Sequence, residues 1–112
     1  DVISVVGEVE GCNAVLVDDM TSTAGTLCAA SNVLKERGAV SVMAAVSHCL
    51  LNEAGISRIK DSAISTIVTT DSVPPQVEEG ELVTRLSLSN LLGDAILRIH
   101  NYQSVTSLFR IH

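Results

Sequence analysis

Two adjacent carboxylates and the small hydroxyl residues after them form the part of the sequence best suited to chemistry. Asp18 and Asp19 follow the apolar run 14–17, and the hydroxyl-rich segment 21–26 (TSTAGT) comes next. Ionised carboxylates repel phosphate, but they accept hydrogen bonds from a vicinal diol or bind Mg²⁺. A segment that opens a helix offers an anion unpaired N–H groups, the positive end of the helix dipole and donating hydroxyls. The combination predicts a site for a ligand with both hydroxyls and phosphate, a sugar phosphate.

Each of these features also has a purely structural interpretation. An acidic pair after a strand is common, and Ser or Thr at a helix start is an ordinary cap. Gly25 is expected to let another group approach the backbone closely and to adopt turn angles that other residues resist. The features occur together in one order and spacing, which favours a ligand site. Response-regulator receivers also place paired acids after an apolar strand, but the acceptor Asp and later Lys that they need are not found in the right context.

Strands and helices alternate along the chain and must position this site. Apolar, β-branched runs predict strands at 14–17, 40–47, 64–69 and 82–86. Helical spacing of apolar residues predicts helices from a cap near Thr23 to a stop at Gly38, over 53–60 and over 89–100. Both faces of the predicted strands are apolar, so we expect a single α/β domain, 1–112, with a parallel sheet flanked by helices. Ligands bind such sheets at the carboxyl ends of the strands.

The composition excludes several classes of protein. The chain has 112 residues, 46% of them apolar and 2% aromatic, which suits one folded domain with an aliphatic core. Its net charge of −6 argues against a nucleic-acid or anionic-membrane partner, since both need clustered Lys and Arg. No apolar run approaches the roughly 20 residues of a membrane span, and no signal or transit peptide is recognisable.

The cysteines indicate the redox compartment. Cys12, Cys28 and Cys49 are odd in number, so any disulfide scheme leaves one unpaired. Their spacing fits no zinc-binding pattern. We expect three free thiols and a reducing, cytoplasmic location.

The segment 15–26 (VLVDDMTSTAGT) resembles the phosphoribosyl-pyrophosphate-binding motif of type I phosphoribosyltransferases and of ribose-phosphate pyrophosphokinases. The flanking segments separate the two groups, because they resemble the pyrophosphokinases in order: VGEVEG at 6–11, LKERGA at 34–39, SH at 47–48, ISRI at 56–59, IVTTDSVP at 67–74, AILR at 95–98 and QSVTSLF in 103–109. The resemblance covers essentially the whole chain. It implies a phosphoribosyltransferase-like, Rossmann-like fold.

The resemblance also implies an activity and a set of site residues. The family transfers the terminal diphosphoryl group of ATP to the C1 hydroxyl of ribose 5-phosphate, giving phosphoribosyl pyrophosphate and AMP. Asp18 and Asp19 would hold the ribose hydroxyls. The 5-phosphate would be cradled by Ser22, Thr23, Ala24, Gly25 and Thr26. Ser22 departs from the pattern, because the family usually carries Asp there. Ser keeps a hydrogen-bonding group but removes a negative charge near the phosphate.

The family's catalytic Lys and Arg, its adenine-binding residues and its Mg²⁺ ligands lie upstream of the part that this chain resembles, which is roughly the last third. We therefore expect no catalytic or metal-binding residue here, with ATP and its Mg²⁺ bound mainly elsewhere in a homo-oligomeric parent. Without a cluster of cations to neutralise the phosphates, the isolated chain is expected not to turn over.

Several residues outside this motif have competing interpretations. Ser104, Thr106 and Phe109 resemble residues near the family's regulatory nucleotide site, and the structural alternative is a helix cap and a core aromatic. His48 ends a strand and could line the cleft, although a lone His is more often structural. The acidic run 78–81 is expected to be a solvated loop.

Three other identities stay open at the level of the sequence. The first is a phosphoribosyltransferase with a different amino-terminal hood. The second is a catalytically silent regulatory relative that assembles with the active enzyme. The third is a fragment of a longer protein, captured by crystallisation or proteolysis.

Overall fold

The computed structural model describes residues 4–109, in which strands and helices alternate along a four-stranded sheet. The elements are β1 (Asn13–Thr21), α1 (Gly25–Glu36), β2 (Ser41–Cys49), α2 (Glu53–Lys60), β3 (Ile64–Thr70), β4 (Val83–Leu86), α3 (Ser89–His100) and a 3-10 turn (Thr106–Phe109). All strand pairs are parallel and the strand order is β1-β2-β3-β4. The predicted α/β class is therefore confirmed. Within residues 4–109, no helix is long and apolar enough to cross a bilayer.

The core lies between one face of the sheet and two helices. Helix α1 packs on β1 and β2, α2 packs on β3, and the two helices also contact each other, so they share that face. Alternate strand residues point to opposite faces, and those pointing to the helices are the buried ones. Among them Val42, Ala44 and Ile67 have no exposed surface, and Ile59 of α2 packs there equally buried.

The opposite face of the sheet is open within the described residues. The exposed fractions of Val15, Val17 and Leu86 are 54%, 80% and 57%, and α3 buries none of its residues. The expectation that the strands are buried on both faces is therefore wrong for residues 4–109. The reason is topological: crossovers between parallel strands are right-handed, so strands that follow one another in a single direction receive their helices on the same side.

Helix α1 ends where the sequence predicts. Gly38 has φ 97°, a left-handed conformation that favours glycine. Its N–H donates to the carbonyl of Lys35 (3.1 Å), and the N–H of Ala39 donates to that of Leu34 (3.1 Å). These two bonds form a Schellman motif, which satisfies carbonyls that the helix end would leave free.

Candidate functional site

The predicted site residues lie where β1 turns into α1, at the carboxyl end of the sheet. One cavity there is lined by Asp18, Met20, Thr21, Ser22, Thr23, Ala24, Thr26 and Leu27. The structure therefore brings Asp18 together with four of the five residues predicted to hold a phosphate. Asp19 and Gly25 do not line this cavity.

The two carboxylates are separated by the strand that carries them. The predicted strand ends at Asp18, but the observed β1 continues through both acids to Thr21. Pairing with β2 sustains it, because Met20 lies opposite His48 in the register. Consecutive strand residues point to opposite faces, so Asp18 lies beside the loop and Asp19 on the open side of the sheet. The backbone N–H of Asp19 donates to Oδ1 of Asp18 at 2.8 Å.

The unusual backbone conformation falls on Ala24 rather than on Gly25. Ala24 is the N-cap of α1 with φ 61°, and no side chain caps the helix. The N-cap is thus a neighbour of Thr23, although within residues 4–109 it makes no side-chain hydrogen bond to the helix. The expectation that Gly25 supplies the unusual angles is wrong. A Cβ placed on Gly25 would meet nothing within 4 Å. Left-handed backbone disfavours a residue with a Cβ, and such strain clusters at functional sites. Because no side chain of residues 4–109 caps α1, none of them competes with an anion for its first N–H groups.

The carbonyls of Thr21, Ser22 and Thr23 accept hydrogen bonds from the segment that follows β2 and from α2. The N–H of Leu50 donates to the carbonyl of Thr21 (2.8 Å), and the N–H of Asn52 donates to that of Ser22 (3.3 Å). Nη1 of Arg58, on α2, donates to the carbonyl of Thr23 (3.0 Å). The sequence did not predict the hydrogen bond from Arg58. The residue lies 35 positions from Thr23 in the chain, and the pattern of apolar residues in α2 does not indicate such a contact.

A second polar cluster anchors the loop between β3 and β4. Glu79 forms an ion pair with Arg85, and their side chains are only 8% and 20% exposed. Sγ of Cys49 lies 3.7 Å from Oε2 of Glu79. The expectation that the acidic run is a solvated loop is therefore wrong for Glu79. Burial raises the pKa of the Cys49 thiol, since desolvation disfavours the thiolate.

The raised pKa of Cys49 predicts a loss of stability at alkaline pH. The unfolded thiol keeps its ordinary pKa of about 8.5, so below that pH both states are protonated. As the pH rises through this value toward the folded one, the unfolded state ionises first and the folded state loses relative stability. Urea unfolding from pH 7 to 10 should show this loss in the wild type and not in Cys49→Ala. Cys12→Ala, which changes an exposed thiol, should follow the wild type; identical profiles for all three would contradict the prediction.

Of the two structural roles predicted for the carboxy-terminal residues, a cap and a core aromatic, the structure shows only the cap. Oγ of Ser104 accepts a hydrogen bond from the N–H of Thr106 (3.2 Å), which confirms Ser104 as a cap of the short 3-10 turn. Phe109 is 76% exposed, so its interpretation as a core aromatic is wrong. The regulatory role of Ser104, Thr106 and Phe109 stays a prediction.

His48 and the three cysteine thiols are further groups that could take part in chemistry. His48 is exposed, and its Nδ1 lies 2.8 Å from Oγ of Ser72. Cys12, Cys28 and Cys49 are all free. No three His, Cys, Asp or Glu side chains within residues 4–109 converge on a point that could hold a metal ion.

Comparison with known proteins places this geometry in context. Residues 1–110 match the family described as "Phosphoribosyl synthetase-associated domain". The chain is 40% identical over 113 residues to ribose-phosphate pyrophosphokinase 1 of Lactococcus lactis, and 43% identical over 111 residues to the ribose-phosphate pyrophosphokinase of Bordetella pertussis. These alignments cover 100% and 97% of this chain but 35% and 36% of the relatives.

A solved structure shows the same likeness in three dimensions. The crystal structure of phosphoribosylpyrophosphate synthetase from Mycobacterium smegmatis superposes with a TM-score of 0.81 at 31% sequence identity. The superposition covers 87% of this chain and 33% of the other. The chain therefore spans about a third of the length of the proteins it matches.

Proposed function

The chain belongs to the phosphoribosyl synthetase-associated domain family, and from that membership we propose that it forms the ribose 5-phosphate-binding part of a ribose-phosphate pyrophosphokinase. The proposed reaction of the whole enzyme transfers the diphosphoryl group of ATP to the C1 hydroxyl of ribose 5-phosphate. Its products are phosphoribosyl pyrophosphate and AMP. The relatives reported above are pyrophosphokinases by name, which favours this reaction over that of a phosphoribosyltransferase.

The observation that carries the proposal is the uncapped start of α1 beside Asp18. The first N–H groups of α1 and the hydroxyls of Ser22, Thr23 and Thr26 suit the 5-phosphate. Asp18, on the same cavity, suits the ribose hydroxyls as an acceptor of hydrogen bonds. Asp19 would reach the ribose from the open side of the sheet. Phosphate at one end and a diol at the other make a pentose phosphate the ligand of matching chemistry.

The described residues do not by themselves make a site for Mg²⁺. Their two neighbouring carboxylates point to opposite sides of β1, and no third acid joins them. Arg58 of α2, whose guanidinium contacts the loop, donates to a backbone carbonyl. We therefore assign ATP and its Mg²⁺ to other parts of the whole enzyme, and we expect the chain alone not to form AMP. A homo-oligomeric parent and a cytoplasmic location are further expectations from the family.

The proposal predicts that the isolated chain binds ribose 5-phosphate and that the binding needs the two carboxylates. Calorimetric titration of the wild type should give saturable binding at one site. The double variant Asp18→Asn, Asp19→Asn should weaken the binding at least tenfold, because each charged hydrogen bond contributes roughly 1.5–3 kcal/mol.

A matched variant controls for the loss of two negative charges. Asp61→Asn, Asp94→Asn changes two exposed carboxylates, one after α2 and one on α3, and should bind as the wild type does. Equal affinity in both double variants would contradict the carboxylate assignment. A folded wild type that fails to bind ribose 5-phosphate would contradict the proposal itself.

A second candidate, a catalytically silent regulatory relative, is favoured by one residue. Ser22 lines the cavity where the family resemblance implies Asp, so a negative charge is missing beside the phosphate. In that case the chain would retain its sugar-phosphate site while the whole protein formed no AMP. An assay of AMP formation by the whole protein, with and without Ser22→Asp, separates the two candidates.

A further inference from the structure

We infer that Arg58 is a positioning residue that fixes the loop 21–24 in its anion-binding conformation. Its contact is with the backbone rather than with a ligand, because Nη1 donates to the carbonyl of Thr23 at 3.0 Å. The inference deepens the proposed function and rests on it for the identity of the ligand. The hydrogen bond to the loop is a property of the chain itself and can be tested without any ligand.

The carbonyls of three consecutive loop residues all have donors on the same side. Those of Thr21 and Ser22 are bound by backbone N–H groups of the segment between β2 and α2. That of Thr23 is bound by the Arg58 side chain. Arg58 thus supplies the donor for the third carbonyl, since backbone N–H groups bind only the first two.

Because the peptide bond is planar, the direction in which each of these carbonyls points fixes the direction of the N–H group of the next residue. In a trans peptide the carbonyl and the N–H of the next residue point in opposite directions. Carbonyls bound toward α2 therefore turn the N–H groups of Ser22, Thr23 and Ala24 away from α2. Successive N–H groups turned to one side form a concave nest for an anion. They continue into the free N–H groups of the first turn of α1.

The Thr23–Ala24 peptide is the one that most needs such a restraint. It precedes Ala24, whose φ of 61° is disfavoured for a residue with a Cβ. Relaxation of Ala24 toward an ordinary backbone conformation would rotate this peptide and turn its N–H away from the nest. The bond from Arg58 opposes that rotation, and the guanidinium also brings a positive charge behind the loop.

The test compares Arg58→Met, which removes donor and charge, with Arg58→Lys, which keeps both. Lys60→Met is the matched control, because it removes another exposed cation from the last turn of α2. The first measurement is amide hydrogen exchange by NMR without ligand. The reporters are the N–H groups of Leu50, Asn52 and Cys28, which donate to the carbonyls of Thr21, Ser22 and Ala24. The second is the dissociation constant of ribose 5-phosphate, with inorganic phosphate as a smaller probe.

We expect Arg58→Met to speed exchange at these three amides while exchange in the β2–β3 ladder is unchanged. It should weaken both ligands about tenfold, as loss of one hydrogen bond to a charged group predicts. Arg58→Lys should recover most of the exchange protection and affinity, and Lys60→Met should match the wild type.

Two results would overturn the inference: loop exchange equal in Arg58→Met and Lys60→Met, or faster exchange throughout the sheet, which would show a general loss of stability. Failure of the proposed function has a different signature. A wild type that binds neither ligand, with loop exchange that still responds to Arg58→Met, overturns the ligand assignment and supports the positioning role.

Discussion

Replacing Arg85 with methionine should lower the free energy of unfolding by about 3–5 kcal/mol, the usual cost of leaving one member of a buried ion pair without its partner. Glu79 is 8% exposed and would keep an uncompensated carboxylate beside Cys49. Arg85 also donates to the carbonyl of Thr70 (3.3 Å), so the variant leaves a second acceptor unpaired. Urea unfolding at neutral pH measures the change.

The double variant Arg85→Met, Glu79→Met tests the cause. It removes both charges, and an apolar pair of similar volume is often as stable as the ion pair it replaces. The double variant should therefore recover most of the loss seen in Arg85→Met. If it is as unstable as Arg85→Met, the arginine stabilises the chain by packing and not by its charge.

Replacing Gly55 with alanine should disturb both stability and ligand binding, because α2 touches the loop of the candidate site at this residue, beside Ser22. A Cβ on Gly55 would collide with the carbonyl oxygen of Ser22, and it would lie 2.9 Å from Cδ2 of Leu51. Overpacking of this kind costs about 1–3 kcal/mol. The loop must move off α2, which lengthens the bond from Asn52 to Ser22. We expect an affinity for ribose 5-phosphate lower by about tenfold, measured by calorimetry beside urea unfolding.

Gly93→Ala is the matched control for the glycine substitution. Gly93 also lies within a helix, α3, but a Cβ there would meet nothing within 4 Å. Alanine should stabilise that helix by about 0.5–1 kcal/mol and leave binding unchanged. A Gly55→Ala variant that behaved like Gly93→Ala would show that the loop does not depend on its close contact with α2.

Local patterns were sufficient to predict the helices. The bounds of α2 and α3 agree with those expected from apolar spacing, and Gly38 ends α1 as its conformational freedom predicts. These features depend on residues within a few positions of one another. The extension of β1 through Asp18 and Asp19 could not be predicted this way, because pairing with β2 sustains it and polar residues hide it.

The sequence predicted where the candidate site residues lie, at the turn from β1 into α1, but not the contacts that shape this turn; their role in binding stays a prediction. The residue types identified Asp18 and the loop, whereas the strain falls on Ala24 and the support comes from Arg58. The support is a contact between α2 and the loop, which a local sequence pattern does not contain. The open face of the sheet is a similar case: Val15 and Val17 look like core residues in sequence, and only the strand order shows that no helix of residues 4–109 covers them.

The strand order also has a consequence for how the chain folds. In β1-β2-β3-β4 each strand after β1 pairs with the strand that precedes it in the chain, so within residues 4–109 no strand has to insert between two that have already paired. Each new pairing closes only the short connection from the previous strand, and the entropy of loop closure is small for such connections. Each of β2, β3 and β4 can therefore pair with an edge that the preceding strand has already formed. The sheet can grow from β1 toward β4, and the carbonyls of Thr21, Ser22 and Thr23 gain their donors once β2 and then α2 have docked.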